Sequence, residues 1–397
     1  MRTLTLTEGG PPQQHQLTRI EYEALATIRA VEIHPTLETG WYVIAASSKV
    51  GAISIGDLQV IVQPKITDIN RLIFLLGYAQ NPRIWRDDHV TLDADTDLFP
   101  ALAESFSRIT TKALDQGLLQ GYKTIRDTLP VLRGRVLAGE QMTQRFGSPL
   151  PLHVEYDEFT VDIAENRILL AATTRLLRIP AISHLARRTL IRLQRTLSDV
   201  TEPVRGQKLP HWQPSRLNAR YHTALALADI VLRAESFEHR IGDLTVTGFM
   251  FDMWRIFEDF TTIALRETFK ASGGTSHLQH RMTLDNDRAV TMKPDFVWFG
   301  DDATTIVIDS KYKAEKPAGF PDADLYQMLA YCTVLDVRDG HLIYAKGNTE
   351  PTVHTVRRSG VRIHCHALDL AAEPSRLLRQ IVDLRETMQA FTTEAQP

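Results

Sequence analysis

Asp295, Asp309 and Lys311 are ionisable residues set in two stretches that otherwise have the composition of buried strands. The stretches are Lys293-Pro294-Asp295-Phe296-Val297-Trp298-Phe299 and Thr305-Ile306-Val307-Ile308-Asp309-Ser310-Lys311, around a Gly300-Asp301-Asp302-Ala303 turn. So many β-branched and aromatic residues predict a buried hairpin. A buried charge is costly unless it is paired or bound to a metal. If Phe299 pairs with Thr304, Asp295 falls opposite Ile308, beside Asp309. A shift of one residue puts the two aspartates face to face. Directly paired Cβ atoms lie roughly 5 Å apart, close enough for two carboxylates to share one cation. Asp309 and Lys311 are two apart on a strand and so share a face. Carboxylate oxygens suit Mg²⁺. That ion can polarise a phosphodiester and acidify a bound water, while Lys311 can orient the water and offset transition-state charge. The plainer alternative is a surface hairpin with solvated charges, and the apolar residues on both strands argue against it.

Two predicted helices flank the hairpin. Downstream, Asp322-Ala323-Asp324-Leu325-Tyr326-Gln327-Met328-Leu329-Ala330-Tyr331 reads as helical, with Gln327 and Tyr331 on one face. Upstream, a helix is expected from Phe249 to about Lys270, with Met250, Met253, Trp254, Phe257, Thr261, Ala264 and Leu265 as its apolar stripe. Glu258 sits at the edge of that stripe, where a helix can present a carboxylate to a neighbouring site. Asp252 and Asp259 point away. An ordinary amphipathic helix and a Glu reaching solvent are the alternatives for these two features.

The pattern Pro-Asp, thirteen residues, Asp-x-Lys resembles the PD-(D/E)xK nuclease superfamily. A Gln-x-x-x-Tyr helix after it resembles the RecB-like branch, in which that pair lies beside the active site and contacts DNA or the substrate phosphate. In the superfamily the first core helix often carries a Glu, the position that Glu258 would take.

The 397 residues are enough for two or three domains. Hydrophobic content of 43% with 23% charged residues is ordinary for a soluble protein. No apolar run reaches membrane-spanning length, and the first ten residues lack a signal-peptide core. Cys332 and Cys365 are the only cysteines; they fit a reducing cytoplasm and build no zinc site alone. Net charge is −3, so any nucleic-acid footprint must be local. From Arg167 to Arg220 there are ten Arg and one Lys against two acids. Within it Ser183 to Val200 reads as a helix whose Arg188, Arg192 and Arg195 share a face. That stripe could track DNA phosphates, dock an acidic partner or simply be solvated. The segment Asp87 to Glu104 has six acids and no Lys or Arg, which argues against contact with DNA.

Three parts are expected: a β-rich region over residues 1–145, a helical basic region over 146–240 with breaks at Pro180 and Pro210, and an α/β unit over 241–397. The first holds a predicted meander of Trp41–Ala46, Val50–Ile55 and Gln59–Gln63, then a helix from Ile69 to Tyr78. The last ends in a helix from Ser375 to Gln389. The segment Val50 to Ile66 followed by the helix with Asn70-Arg71-Leu72 resembles the amino-terminal part of McrC proteins. So do Arg133-Gly134-Arg135, Tyr156 to Asp162 with Asn166-Arg167-Ile168-Leu169, and Asp324 to Tyr331.

The resemblance implies an α+β multidomain chain that ends in a restriction-endonuclease-like domain. It implies a Mg²⁺-dependent, cytoplasmic DNA endonuclease subunit of an McrBC-type restriction system. Its partners would be double-stranded DNA and a hexameric McrB-like AAA+ GTPase, whose GTP hydrolysis the amino-terminal region would stimulate. In such a site Asp295, Asp309 and Glu258 would bind metal, and Lys311, Gln327 and Tyr331 would complete the catalytic set. The chain has no G-x-x-x-x-G-K-[ST] loop, so GTP would be bound by the partner. A stand-alone repair nuclease and a non-catalytic activator that keeps the fold are the alternatives. His364-Cys365-His366 places two His on one strand face, a weaker metal candidate without a third ligand nearby in sequence.

Overall fold

A computed structural model describes residues 2–66, 69–80, 82, 85, 98–179, 182–204, 207–241, 244–302, 304–312, 322–345 and 352–394. The chain forms two compact units, Met1–Phe99 with Arg233–Pro397, and Pro100–Leu232. The architecture is mixed α/β, with several sheets. The expected divisions at 145 and 240 do not coincide with these units. One reason is a strand pairing between segments nearly two hundred residues apart.

The first unit contains a five-stranded sheet of β1 (Arg2–Thr7), β2 (Lys49–Ile55), β3 (Leu58–Gln63), β4 (Glu235–Ile241) and β5 (Leu244–Asp252). The strand order is β1-β3-β2-β5-β4. Strand β2 pairs antiparallel with both β3 and β5. Gly51 makes the second pairing possible: its φ is +151°, and a Cβ there would lie 2.3 Å from the Phe249 carbonyl oxygen. The expected meander therefore holds only for β2 and β3. Trp41–Ala46 instead lies between Gln13–Gln16 and Val31–Pro35 in a separate three-stranded sheet.

The same unit holds a six-stranded sheet. It consists of β6 (Thr275–Leu278), β7 (Phe296–Phe299), β8 (Thr305–Lys311), β9 (Asp339–Ala345), β10 (Thr352–Thr355) and β11 (Arg362–Leu368). The order is β6-β7-β8-β9-β11-β10, with β8, β9 and β11 mutually parallel and the other pairs antiparallel. Four helices complete the unit's core: α1 (Ile69–Gln80), α2 (Met253–Phe269), α3 (Asp322–Leu335) and α4 (Pro374–Glu394). Helix α2 packs against α1, α4 and β8.

The expected start of α2 at Phe249 is corrected. Phe249, Met250 and Phe251 are buried strand residues of β5, paired with Ala52, Gly51 and Val50. Helix α2 begins only after Asp252, whose side chain caps it by accepting from the Trp254 N–H. Ile256 and Phe260 belong to its buried stripe, whereas Trp254, expected there, is exposed. Two residue sets alternate along β7 and β8, as a strand requires. Phe296 and Trp298 meet Phe269 of α2 with ring centroids 5.5 and 5.0 Å apart. Val297 and Val307 instead join a core with Met328, Tyr331 and Cys332 of α3.

The second unit contains the antiparallel strands Gly121–Leu129 and Leu152–Thr160, with the short strand Arg135–Val136 on the latter. The helices Ala164–Leu176, His184–Thr196 and His222–Arg233 accompany them. Residues 146–240 are thus less purely helical than their pattern suggests. Pro180 lies outside the described residues; Pro210 falls in an irregular stretch, as expected.

Helix α3 can reach the sheet because Gly340 has no side chain. A Cβ at that position would lie 2.5 Å from Cys332 Sγ and 2.6 Å from Met328 Sδ. Overpacking of this kind costs about 1–3 kcal/mol. Gly340→Ala is therefore expected to lower the thermal midpoint and displace α3; an unchanged midpoint would show that the helix has slack.

Candidate active site

Strands β7 and β8 pair Phe296 with Ile308 and Phe299 with Thr305. Continued by one residue, that register sets Asp295 opposite Asp309. It is the shifted one of the two alignments, the one that brings the aspartates face to face. Both are buried, with 8% of Asp295 and 2% of Asp309 exposed. The Ser310 N–H donates to Asp295 Oδ2 at 2.8 Å, locking that side chain onto the neighbouring strand.

Lys311 follows Asp309 on the same face and forms an ion pair with its Oδ2. Its Nζ also donates to Gln327 Oε1 at 2.8 Å. Gln327 Nε2 in turn donates to Tyr331 Oη at 2.6 Å. The four-residue spacing on α3 thus builds a relay that ends on the ammonium, while Tyr331 is anchored in the core beneath. Beyond that ion pair, Asp309 Oδ2 has no donor at hydrogen-bonding geometry among the described residues.

Glu258 projects half-buried from α2, at the edge of its apolar stripe as expected. Its Oε1 accepts from the side-chain amide of Gln279, and the same Nε2 donates to Asp295 Oδ1 at 2.8 Å. The sequence motifs give no notice of Gln279. It follows β6 in a left-handed conformation, φ +51°, and its own N–H donates to the Asp295 carbonyl at 2.8 Å. Nor do they point to Tyr312: one residue past Lys311, it donates to the buried Glu8 at 3.0 Å.

Burial and then the facing Asp295 raise the Asp309 carboxyl to about 6. Burial, followed by the negative charge of Glu258, pushes Asp295 well above the carboxylate range. Glu258 is raised too, chiefly by burial. The three carboxyls outnumber the ammonium groups that act on them, Lys311 by an ion pair with Asp309 and Lys293 by its charge on Glu258, so the arrangement is short of positive charge. As they stand, no three His, Cys, Asp or Glu among the described residues form a ready metal cage.

Elsewhere, Arg188, Arg192 and Arg195 are exposed along the helix His184–Thr196, whose buried stripe is Ala186, Leu190 and Leu193. The two histidines of β11 are not surface ligands. His364 and His366 are buried beside His341, with His364 against Asp339 at 2.7 Å and His341 Nδ1 3.1 Å from His366 Nε2.

The profile of a family described as McrBC 5-methylcytosine restriction system component matches residues 44–345. The chain belongs to the McrBC family. Every acidic, amide and basic residue of the candidate site lies inside the McrBC match. No curated protein matches the chain. Among solved structures, it is similar to a chain of the refined half-complex from a tetradecameric assembly of Thermococcus gammatolerans McrB AAA+ hexamers with bound McrC. The TM-score is 0.58 at 16% identity, covering 97% of this chain and 99% of that one. A chain of the cryo-EM structure of the Thermococcus gammatolerans McrBC complex aligns at TM-score 0.37 and 18% identity, over 67% of this chain and 88% of that one.

The raised carboxyls set a pH dependence. An acid with a raised folded pKa keeps its proton where the unfolded chain, near pH 4 for Asp, has lost it. Its stabilising contribution is complete below about pH 4 and is lost as pH rises through the folded value, about 6 for Asp309. A tenfold difference in proton affinity between folded and unfolded chain corresponds to about 1.4 kcal/mol. Thermal midpoints in EDTA should therefore contain a declining component as pH rises from about 4 to 8. Asp309→Asn should flatten the decline and raise the midpoint at the alkaline end; a steeper decline in that variant would refute the repulsion.

Proposed function

We propose that this chain is the Mg²⁺-dependent DNA endonuclease subunit of an McrBC-type restriction complex, and that it stimulates the GTPase of an AAA+ partner. The observation that carries the reading is the buried facing pair Asp295 and Asp309 with Lys311 on the same strand face, in a chain of the McrBC family. The donor set fits a hard cation: buried carboxyl oxygens, one of them without a hydrogen-bond donor at proper geometry. Asp295 and Asp309 would hold Mg²⁺, with Glu258 beside them. Bound there, the ion would supply Lewis-acid polarisation of a phosphodiester and a water of lowered pKa.

The protein's own groups do the rest. Lys311 presents a fixed positive charge where negative charge develops in hydrolysis. Gln327 and Tyr331 fix its direction through two successive hydrogen bonds. Burial strengthens the interactions of Asp295 and Asp309, whereas the bond from Lys311 to Gln327 lies at the exposed rim. Residues 1–145 are assigned to docking of the partner ring, and the similar chain in the half-complex with McrB AAA+ hexamers supports a partner of that class. Double-stranded DNA is the substrate, and GTP is bound by the partner.

Asp295→Ala and Asp309→Ala should each abolish DNA cleavage in the assembled complex, while GTPase stimulation persists. Lys311→Ala should lose cutting but largely keep metal binding. Full cleavage by the Asp309→Ala protein with Mg²⁺ present would remove the site assignment.

The exposed arginines are tested by Arg188→Gln, Arg192→Gln and Arg195→Gln combined. If they track phosphates, DNA binding weakens alike on all sequences, and its salt dependence loses up to about three charges of slope. Unchanged DNA affinity with lost GTPase stimulation would instead assign the face to the partner. No change in either would leave it a solvated surface.

A further inference from the structure

Gln279 stands between two acids that the proposed chemistry uses. Its Nε2 is the shared donor to Glu258 and to Asp295 Oδ1, the latter at 2.8 Å. An amide nitrogen carries two hydrogens, so one group can serve both carboxylates at once. Glu258 comes from α2 and Asp295 precedes β7; their carboxyls also meet directly through a side-chain hydrogen bond, which needs a proton on one of them. Gln279 is also held in a left-handed backbone conformation, φ +51°, which L residues other than Asn and Gly seldom adopt. Its main chain clasps the same residue through the 2.8 Å bond from its N–H to the Asp295 carbonyl. A strained backbone that aims an amide between two acids is the kind of cost retained where geometry serves a site.

We infer that Gln279 is a positioning residue whose amide draws Glu258 against Asp295, so that Glu258 becomes the third carboxylate available to a divalent cation. This inference rests on the proposed function. Lacking the amide, an ionised Glu258 meets the like charge of Asp295 with no neutral donor between them, and swings away from it towards solvent. The amide contributes no net charge, so it aligns the two acids without competing as a counter-ion. Partners that orient metal-binding carboxylates typically change metal affinity by about 10–100-fold when removed.

The test is calorimetric titration of the full chain with MnCl₂ or MgCl₂, without DNA. Gln279→Ala should weaken binding by about 10-fold or more. Gln279→Asn should do the same, since its amide is one methylene short, although Asn tolerates the left-handed backbone and preserves the fold. In a Glu258→Ala background the Gln279→Ala change should cost clearly less affinity than in the unaltered chain, because only the bond to Asp295 is then left to lose. A merely structural role would lower the thermal midpoint in EDTA and leave the dissociation constant unchanged. Unchanged affinity in Gln279→Ala, or a fully additive loss in the double variant, overturns the inference. If the unaltered protein binds neither ion, the proposed function itself fails. If it binds, and Asp309→Asn loses binding while Gln279→Ala does not, only the role of Gln279 falls.

Discussion

Two aspartates facing each other across one antiparallel strand pair, inside the protein, are the constraint to which the surrounding structure answers. At about 5 Å and an effective dielectric near 20, two such charges repel by about 3 kcal/mol. That is a sizeable fraction of the stability of a whole domain. The Ser310 N–H, the Gln279 amide and the Lys311 ammonium each relieve part of it. Each relief comes from a different place in the fold: the neighbouring strand, the end of an edge strand, and the same strand two residues on. An excess of negative charge remains after all three.

The layers explain why that arrangement can be held still. One face of β7 and β8 is filled by Phe296, Trp298, Ile306 and Ile308, all buried. On the same side of the sheet as those residues, further along, lie His341, His364 and His366. Burial holds His341 and His366 well towards the neutral form, so neither of these two adds positive charge there. The other face carries the acids, the ammonium and α3, with Gly340 letting the helix approach. Beyond Lys311, Tyr312 is tied to Glu8 of the amino-terminal segment, and its ring lies 5.8 Å from that of Phe257 on α2. The residue next to the ammonium is therefore pinned from two directions.

How much of this could be read beforehand depended on how local each signal was. The hairpin, α3 and the edge position of Glu258 rest on periodicities of two and of 3.6 within short windows, and the chain keeps them. The strand register was legible only to within one residue, because apolar residues on both faces leave the alternation ambiguous. Phe249 to Asp252 carry an apolar pattern compatible with either helix or strand; pairing with Lys49–Ile55, nearly two hundred residues earlier, decides it. Gln279 was invisible because its importance lies in a backbone conformation and in two partners distant in sequence. The two compact units divide the chain at other places than the three expected parts, and no local signal announces a strand partner as distant as that of Phe249.

That long-range pairing has a consequence for how the chain is made. Strand β2 leaves the ribosome early, but its neighbour β5 follows only after the whole of Pro100–Leu232 has been synthesised. At about 5–20 residues per second, the interval is on the order of ten to forty seconds. Throughout it, one edge of β2, with the buried-type residues Val50, Ala52 and Ile53, has no strand to pair with. Exposed strand edges of that composition are where nascent chains associate wrongly. The inserted unit can close its own core in that time, since its contacts are internal. Maturation of the amino-terminal sheet and emergence of the helix that bears Glu258 are thus one event, because the last residue of β5 is also the cap of α2.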